Sequence, residues 1–272
     1  MQIYPRILVF DSGLGGLTVH RALRNAIPEA NTVYLADDAA FPYGELADDQ
    51  LVGRVRDVMG QIIPQFRPDL VVIACNTAST LVLSDLRARF PIPFVGTVPA
   101  IKPAAEASKT RRIAILATPA TLRRDYTQSL IHSFAGDCDV ILHAPPLLAQ
   151  RAETVFAGGL VDDELLRADL APCFVDEGGR RTDAIVLGCT HYPLLLDRFL
   201  TLAPWSVDWI DPAPAIAKRA LDLLSRQILP QDRLGLDHRH YFINTGVGAF
   251  YDRLRGPLAA EGFTGGEQHK IL

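Results

Sequence analysis

The chain has 272 residues, of which 49% are hydrophobic and 21% charged, and its formal net charge is −4. This length and composition fit one large α/β domain or two smaller ones, each with a sizeable buried core. A mildly acidic chain without a basic run gives no reason to expect nucleic acid as the main partner, and no apolar run is long enough to cross a bilayer. Because the N-terminus lacks the features of a signal peptide, we expect a cytoplasmic protein with no membrane partner.

Short β-branched runs alternate with helical patterns along the first hundred residues, which is typical of a parallel sheet flanked by helices. Three prolines between positions 91 and 99 then break the pattern. The predicted elements are strands at 7–10, 32–36 and 70–74 and helices at 48–66 and 77–90.

The same alternation restarts at position 112, and a third section begins near Trp209. The predicted elements are strands at 113–117, 140–142 and 184–187, helices at 122–134 and 165–175, and in the third section a helix at 215–226 and a strand at 240–243.

Two segments repeat one pattern, LVVIACNTAS from Leu70 and AIVLGCTHYP from Ala184. Each is an apolar strand that ends in a small residue, a cysteine and a polar residue, and ligands bind beyond such carboxyl ends in open α/β sheets. The repeat predicts two similar doubly wound parallel-sheet domains related by pseudo-twofold symmetry, with the active site in the cleft between them. We expect one domain over 1–98 completed by 210–272, and the second over 99–209.

The sequence holds four cysteines and no CxxC pair, so it predicts neither a zinc site nor a disulfide framework. Cys75 stands out because Asn76 or Thr77 opens a helix directly after it. A helix N-terminus favours a thiolate, and its N–H groups suit a substrate carboxylate. The alternative is a helix cap beside an ordinary core cysteine.

Cys189 occupies the matching position in the second half and is followed by Thr190 and His191. An imidazole two residues from a thiol can assist its proton transfer or help to place a substrate. A histidine near a strand end is also common as a purely structural residue.

A glycine-rich turn beginning at Asp11 and Ser12 follows the first strand. It is not a dinucleotide fingerprint, because Thr18 stands where the third glycine is required. Asp11 is placed to assist Cys75 or hold an ammonium group, or else to cap a helix.

Three further features lie where a ligand could contact them. They are the turn Pro42-Tyr43-Gly44, the hydroxyls of Thr118 and Thr121 at the matching place in the second half, and Glu153, which is either an acid near Cys189 or a surface carboxylate.

Together these motifs resemble the glutamate racemases of the aspartate/glutamate racemase superfamily. The resemblance runs in order from about Ile7 to about Arg219. The segments that carry it are Asp11-Ser12-Gly13-Leu14-Gly15-Gly16, Pro42-Tyr43-Gly44, Cys75-Asn76-Thr77-Ala78 and Gly188-Cys189-Thr190-His191-Tyr192-Pro193.

The resemblance implies conversion of L-glutamate to D-glutamate for peptidoglycan synthesis, with no pyridoxal phosphate, other cofactor or metal. It implies that Cys75 and Cys189 are the two acid/base residues, that Asp11 and His191 assist them, and that Glu153 is a further acid. The implied substrate contacts are Asp11, Ser12, Pro42, Tyr43, Gly44, Asn76, Thr77, Thr118, Thr121, Thr190 and His191.

One departure concerns Glu153, since Ala149-Gln150-Arg151-Ala152 replaces the apolar, proline-containing run usual before it in the family. Three alternatives stay open: an aspartate racemase or other superfamily isomerase, a non-catalytic amino-acid-binding regulatory module, and a cysteine hydrolase. The CTHYP stretch favours glutamate as the substrate. The oligomeric state is also open, with a homodimer as one alternative.

Overall fold

The structure is a computed structural model that describes residues 4–228, 239–246 and 250–271. The chain forms two compact units. Unit 1 comprises Met1–Thr97 with Ala213–Leu272, and unit 2 comprises Val98–Pro212.

Unit 1 contains a six-stranded, all-parallel sheet in the order β12-β11-β2-β1-β3-β4. Its central strands are runs of valine, isoleucine and leucine, as expected when helices cover both faces. The strands are β1 Arg6–Asp11, β2 Asn31–Ala36, β3 Leu70–Ile73, β4 Phe94–Gly96, β11 His240–Asn244 and β12 Gly265–Gln268. The helices are α1 Leu17–Ala26, α2 Asp48–Phe66, α3 Asn76–Arg89, α10 Ala213–Leu224 and α11 Phe250–Ala260.

Unit 2 contains a four-stranded parallel sheet in the order β10-β9-β5-β6, together with a short antiparallel hairpin, β7-β8. The strands are β5 Arg112–Ala117, β6 Asp139–His143, β7 Asp176–Glu177, β8 Arg180–Arg181, β9 Ala184–Gly188 and β10 Asp208–Ile210. The helices are α4 Ile101–Ala107, α5 Pro119–Arg123, α6 Asp125–Phe134, α7 Leu148–Phe156, α8 Asp163–Leu170 and α9 Leu196–Leu202.

The predicted α/β class, with parallel sheets flanked by helices, is confirmed. The four-strand order β4-β3-β1-β2 in unit 1 corresponds to β10-β9-β5-β6 in unit 2, so the repeat in the sequence is also a repeat in topology. In each unit the strand that precedes the cysteine of the repeat, β3 or β9, lies between two neighbours. Unit 1 adds β11 and β12 at the edge next to β2.

Most predicted elements lie within about two residues of the observed ones, and α2 matches at both ends. The helix predicted at 122–134 is wrong as a single element, because Arg124 is extended and separates α5 from α6. Two side chains from α6 satisfy carbonyls at the end of α5: Thr127 Oγ1 donates to Thr121 O at 2.7 Å, and Gln128 Nε2 donates to Leu122 O at 3.0 Å.

The helix predicted at 165–175 ends at Leu170, where a single 3-10 turn, Ala171–Cys173, takes over. Pro172 cannot donate the backbone hydrogen bond that a continuing helix needs. The sequence pattern does not predict strand β4, because this strand lies among the prolines at 91–99. Its Val95 is aligned with Val72 at the edge of the sheet, where proline is tolerated.

Within the described ranges, no helix is both long enough and apolar enough to cross a membrane. The same ranges hold no group of three or more His, Cys, Asp or Glu side chains arranged to bind a metal ion.

Candidate active site

Cys75 lies just beyond the carboxyl end of β3 and is the N-cap residue of α3. Its side chain is buried, with 5% of the residue exposed. The first N–H groups of a helix have no intrahelical partner and carry a partial positive charge. The thiol therefore lies at a position that favours negative charge on sulfur or on a bound anion.

The turn after β1 brings Ser12 to this thiol, with Ser12 Oγ 3.8 Å from Cys75 Sγ. Asp11 holds the turn closed, because its carboxylate accepts hydrogen bonds from the backbone N–H groups of Ser12 and Gly16. A side chain at Gly16 would meet Asp11, Tyr34 and Ala74 at about 3 Å, so this close approach requires glycine.

Asn76 and Thr77 form the first turn of α3, and both are buried. In the part of the chain that the structure describes, neither amide atom of Asn76, Oδ1 or Nδ2, has a hydrogen-bond partner. Native proteins rarely leave a buried amide unsatisfied, so the amide of Asn76 is available to bind a water molecule, an ion or a polar ligand. The amide lies next to the candidate thiol.

The turn of Pro42, Tyr43 and Gly44 packs against α3 through the 3-10 turn Tyr43–Glu45. Tyr43 is 1% exposed and belongs to the same hydrophobic cluster as Cys75. Its hydroxyl donates to Asp37, and burial raises the pKa of Tyr43 well above its usual range. The phenol therefore stays protonated, with its hydroxyl directed at a protein carboxylate.

Cys189 directly follows β9 in unit 2 and is 6% exposed. Its Sγ lies 3.7 Å from His191 Nδ1, and His191 Nε2 lies 3.0 Å from Glu153 Oε1. The three side chains form a relay in which a carboxylate orients an imidazole beside a thiol.

Glu153 lies on α7, which packs against the 3-10 turn Tyr192–Leu195 that follows Cys189 and His191. Its side chain is 17% exposed, so it is not the freely solvated carboxylate that was one of the two alternatives. The contact between Glu153 and His191 forms despite the departure from the family in the preceding segment, in which Arg151 forms an ion pair with Asp169.

Thr118 and Thr121 lie at the N-terminus of α5, at the carboxyl end of the neighbouring strand β5. Thr118 is the N-cap: its Oγ1 accepts from Thr121 N at 3.3 Å and lies 2.9 Å from Thr121 Oγ1. Thr190, which lies between Cys189 and His191 in the sequence, is buried. Each unit thus gathers its predicted residues around its own cysteine.

The other two cysteines differ from this pair. Burial raises the pKa of the Cys173 thiol to about 12, so the group is neutral at physiological pH and acts as a small apolar side chain. Cys138 is half-buried, and burial raises its pKa as well. Neither has the partners that surround Cys75 and Cys189.

Sequence reasoning missed a buried carboxylate, Asp37, which follows the carboxyl end of β2. It binds Tyr43, Arg54 and Thr245. The criterion that found the cysteines, a polar residue directly after an apolar strand, also applies to Asp37 and to Thr245 after β11.

Comparison with known proteins gives consistent results. The family model for Asp/Glu/Hydantoin racemase matches residues 17–220. The glutamate racemase of Brucella anthropi is 54% identical over 219 residues, which are 80% of this chain and 79% of that protein.

Two solved structures are similar over nearly the whole chain. Escherichia coli glutamate racemase in complex with L-glutamate and the activator UDP-MurNAc-ala has a TM-score of 0.92 and 35% identity, covering 99% of this chain and 100% of that one. Glutamate racemase from Thermus thermophilus in complex with beta-chloro-D-alanine has a TM-score of 0.75 and 28% identity, covering 98% and 97%.

Proposed function

This chain belongs to the Asp/Glu/Hydantoin racemase family, and on that premise we propose that it interconverts L- and D-glutamate. The proton transfer uses two bases, Cys75 and Cys189, and needs no cofactor. The observation that carries the proposal is that each unit ends a strand in a buried cysteine with a polar partner, Ser12 Oγ at 3.8 Å in one and His191 Nδ1 at 3.7 Å in the other.

Racemisation requires a base on one face of the α-carbon and an acid on the other. One cysteine enters as thiolate and removes the α-proton, and the second enters as thiol and returns a proton to the opposite face. The reverse reaction exchanges the two roles, so each sulfur must work in both protonation states. The scheme requires both thiols to reach the same α-carbon.

The α-hydrogen of an amino acid is a very weak acid, so the developing charge must be stabilised as the proton leaves. That charge spreads onto the substrate carboxylate, which preorganised N–H and O–H donors bind more strongly as it grows. We assign this role to Ser12, Asn76 and Thr77 at Cys75 and to Thr190 at Cys189. The unsatisfied amide of Asn76 and the N-terminus of α3 are suited to it.

We assign the substrate specificity to glutamate because the relatives named above are glutamate racemases, one of them bound to L-glutamate. Supply of D-glutamate for peptidoglycan follows as the biological role. The E. coli protein's activator supports this role, since its MurNAc group is a peptidoglycan sugar. All four cysteines are free thiols, which fits the reducing cytoplasm where such a synthesis begins.

The test is incubation of the purified protein, freed of pyridoxal phosphate, with D-glutamate in deuterated water. Circular dichroism follows the optical change and mass spectrometry follows deuterium at the α-carbon. We expect loss of optical activity, with deuterium in the product. Aspartate and alanine in parallel samples test specificity.

A protein that binds glutamate tightly but never changes its optical activity would be a binding module, contrary to the proposal. Faster turnover of aspartate would refute the assignment of glutamate. A covalent acyl adduct on a single essential cysteine would indicate a hydrolase.

A further inference from the structure

Unit 1 contains a buried ionic cluster outside the family motifs, centred on Asp37. This carboxylate is fully buried and accepts four hydrogen bonds from three side chains. Arg54 binds both of its oxygens, with Arg54 Nε 2.9 Å from Oδ2. The hydroxyl of Tyr43 donates to Oδ2, and the hydroxyl of Thr245 donates to Oδ1.

The cluster is stable only as a complete set. A buried carboxylate is strongly destabilising unless it is paired and hydrogen-bonded. Here Arg54 supplies the opposite charge, and the two hydroxyls donate further hydrogen bonds. The hydrogen bond to Asp37 raises the pKa of Arg54, so the guanidinium stays charged. Tyr43 is thereby fixed at its far end, while its ring packs near Phe10.

Thr245 is held on both sides. Its hydroxyl accepts from Ala39 N at 3.3 Å while donating to Asp37, and its backbone N–H donates to Asp38 Oδ1 at 2.9 Å. The next N–H, from Gly246, donates to the same oxygen at 2.7 Å. The end of β11 is therefore tied to the loop after β2, and Thr245 cannot turn its hydroxyl away without losing a bond.

We propose that Arg54 and Thr245 are positioning residues for the Cys75 half of the site. They fix Asp37, Asp37 fixes Tyr43, and Tyr43 fixes the Pro42–Gly44 turn against α3, in the hydrophobic cluster that also contains Cys75. The inference rests on the proposed function, because it assigns that turn to substrate binding. It extends the site to β11, outside the segments that carry the family motifs.

The first test compares Thr245→Val with Thr245→Ser. Valine keeps the shape and removes the hydroxyl, whereas serine retains the hydroxyl. A displaced turn weakens substrate binding in the ground state and the transition state alike, so we expect Thr245→Val to raise KM about tenfold with kcat changed less than about threefold. Thr245→Ser should restore the wild-type KM.

Thr32→Val is the matched control. Thr32 is equally buried in the same sheet, and its hydroxyl bridges His20 and His240 at 2.7 and 2.8 Å, but it lies at the start of β2 rather than beyond its end. Loss of the Thr32 hydroxyl should lower the Tm about as much as loss of the Thr245 hydroxyl does, and it should leave KM unchanged. Equal rises of KM in both valine variants would overturn the positioning role.

The second test compares Arg54→Ala with Arg56→Ala. Both arginines lie on α2 and bind a carboxylate through two nitrogens, but Arg56 pairs with Asp85 on the surface. We expect Arg54→Ala to raise KM by more than tenfold and millimolar guanidinium to recover part of the loss, whereas Arg56→Ala should resemble wild type. Wild-type KM in Arg54→Ala contradicts the proposal.

Binding of D-glutamate, measured by calorimetry on the same variants, tests the proposed racemase function and the positioning role separately. Wild-type protein that racemises glutamate, with Thr245→Val binding it equally well, overturns the positioning role alone. Wild-type protein that neither racemises nor binds glutamate overturns the proposed function and this inference together. Weaker binding in Thr245→Val than in Thr32→Val supports positioning even where turnover is too slow to measure.

Discussion

Cys75 in unit 1 is the N-cap of a 14-residue α-helix, whereas Cys189 in unit 2 is followed by a 3-10 turn of four residues, Tyr192–Leu195. The first thiol therefore lies at a full helix N-terminus, with oriented N–H groups and a neutral hydroxyl, Ser12, beside it. The second has an imidazole, and behind that a carboxylate.

This difference gives the two proposed catalytic thiols different electrostatic surroundings. At Cys75 the helix N-terminus contributes a fixed backbone field, and the polar side chain nearest to the sulfur is the neutral hydroxyl of Ser12. At Cys189 the partner is the imidazole of His191, which can donate or accept a proton and is oriented by Glu153. The strand order is repeated between the units, but the electrostatics beyond the strand ends is not.

Loss of either thiol is the largest expected effect. In the two-base scheme each cysteine is indispensable in both directions, so Cys75→Ala and Cys189→Ala should each lower kcat by about a thousandfold or more. Circular dichroism of L- and D-glutamate measures this. Cys138→Ala is the control, and it should keep wild-type activity.

Exchange with deuterated water then distinguishes the two sulfurs. A variant that retains one base can still remove a proton from one enantiomer, so each alanine variant should exchange the α-hydrogen of a single enantiomer, and the two variants should select opposite ones. Full racemisation by either variant, or the same selectivity in both, would refute the scheme.

Replacement of the assisting side chains tests the difference between the two sites directly. His191→Asn should lower kcat about a hundredfold and Glu153→Gln about tenfold, because general acid–base assistance is typically worth 10²–10⁴. Ser12→Ala should lower kcat less than His191→Asn does, because it removes a neutral hydroxyl and not an acid–base group.

Glu164→Gln is the matched control for Glu153→Gln, because Glu164 is an exposed carboxylate of unit 2 paired with Arg167.

The equilibrium constant of a racemisation is one, so kcat/KM must fall equally in the two directions. An unequal effect of His191→Asn can appear only in kcat and KM taken separately. A fall in kcat no larger in His191→Asn than in Ser12→Ala would remove the distinction between the two sites.

The sequence predicts the strand ends and both thiols because these depend on local patterns: an apolar run, then a small residue, then cysteine. It also pairs Cys189 with His191, two residues away. The contact between His191 and Glu153 joins two residues that are 38 positions apart in the sequence. Chemistry alone gives Glu153 two alternatives, which only the packing of α7 on the turn after Cys189 resolves.

The cluster around Asp37 could not be predicted in the same way. Its members come from β2, α2 and the end of β11, and Thr245 is 208 positions from Asp37. Such a cluster depends on which strands become neighbours, and β11 pairs with β2 only in the folded sheet. Similarly, the break at Arg124 depends on side chains that satisfy the last carbonyls of α5, which helical periodicity does not reveal.

Unit 1 also has a pair of histidines that bears on its stability rather than on its site. His20 and His240 are bridged by Thr32, and His20 stacks on Phe263 with the rings 4.6 Å apart. Burial lowers the pKa of His20, and burial with the charges of Arg24 and Arg239 lowers the pKa of His240 to about 4.

We expect the stability of unit 1 to fall in mild acid for this reason. The folded-state pKa lies below the unfolded value of 6.5, so the unfolded chain binds protons first as the pH falls. The contribution is fully present above pH 6.5 and is lost as the pH falls towards about 4. Thermal unfolding of wild type and His240→Gln across this range checks it, and the variant should show the flatter decline. Equal slopes would contradict it.

The smallest expected effect on activity concerns Cys173, which sharpens the contrast with Cys189 in the same unit. Both thiols are buried, but only Cys189 has a base beside it, and a thiol whose pKa is raised to about 12 by burial supplies no thiolate near neutral pH. Cys173→Ala should therefore keep wild-type kcat and KM and lower the free energy of unfolding by about 1 kcal/mol, as the loss of a small buried group does. Cys173→Ser should cost more, about 1–3 kcal/mol, because it buries a hydroxyl. Steady-state kinetics and urea unfolding of both variants test this. A fall in kcat without a fall in stability would contradict it, because Cys173 would then contribute to catalysis without a neighbouring base.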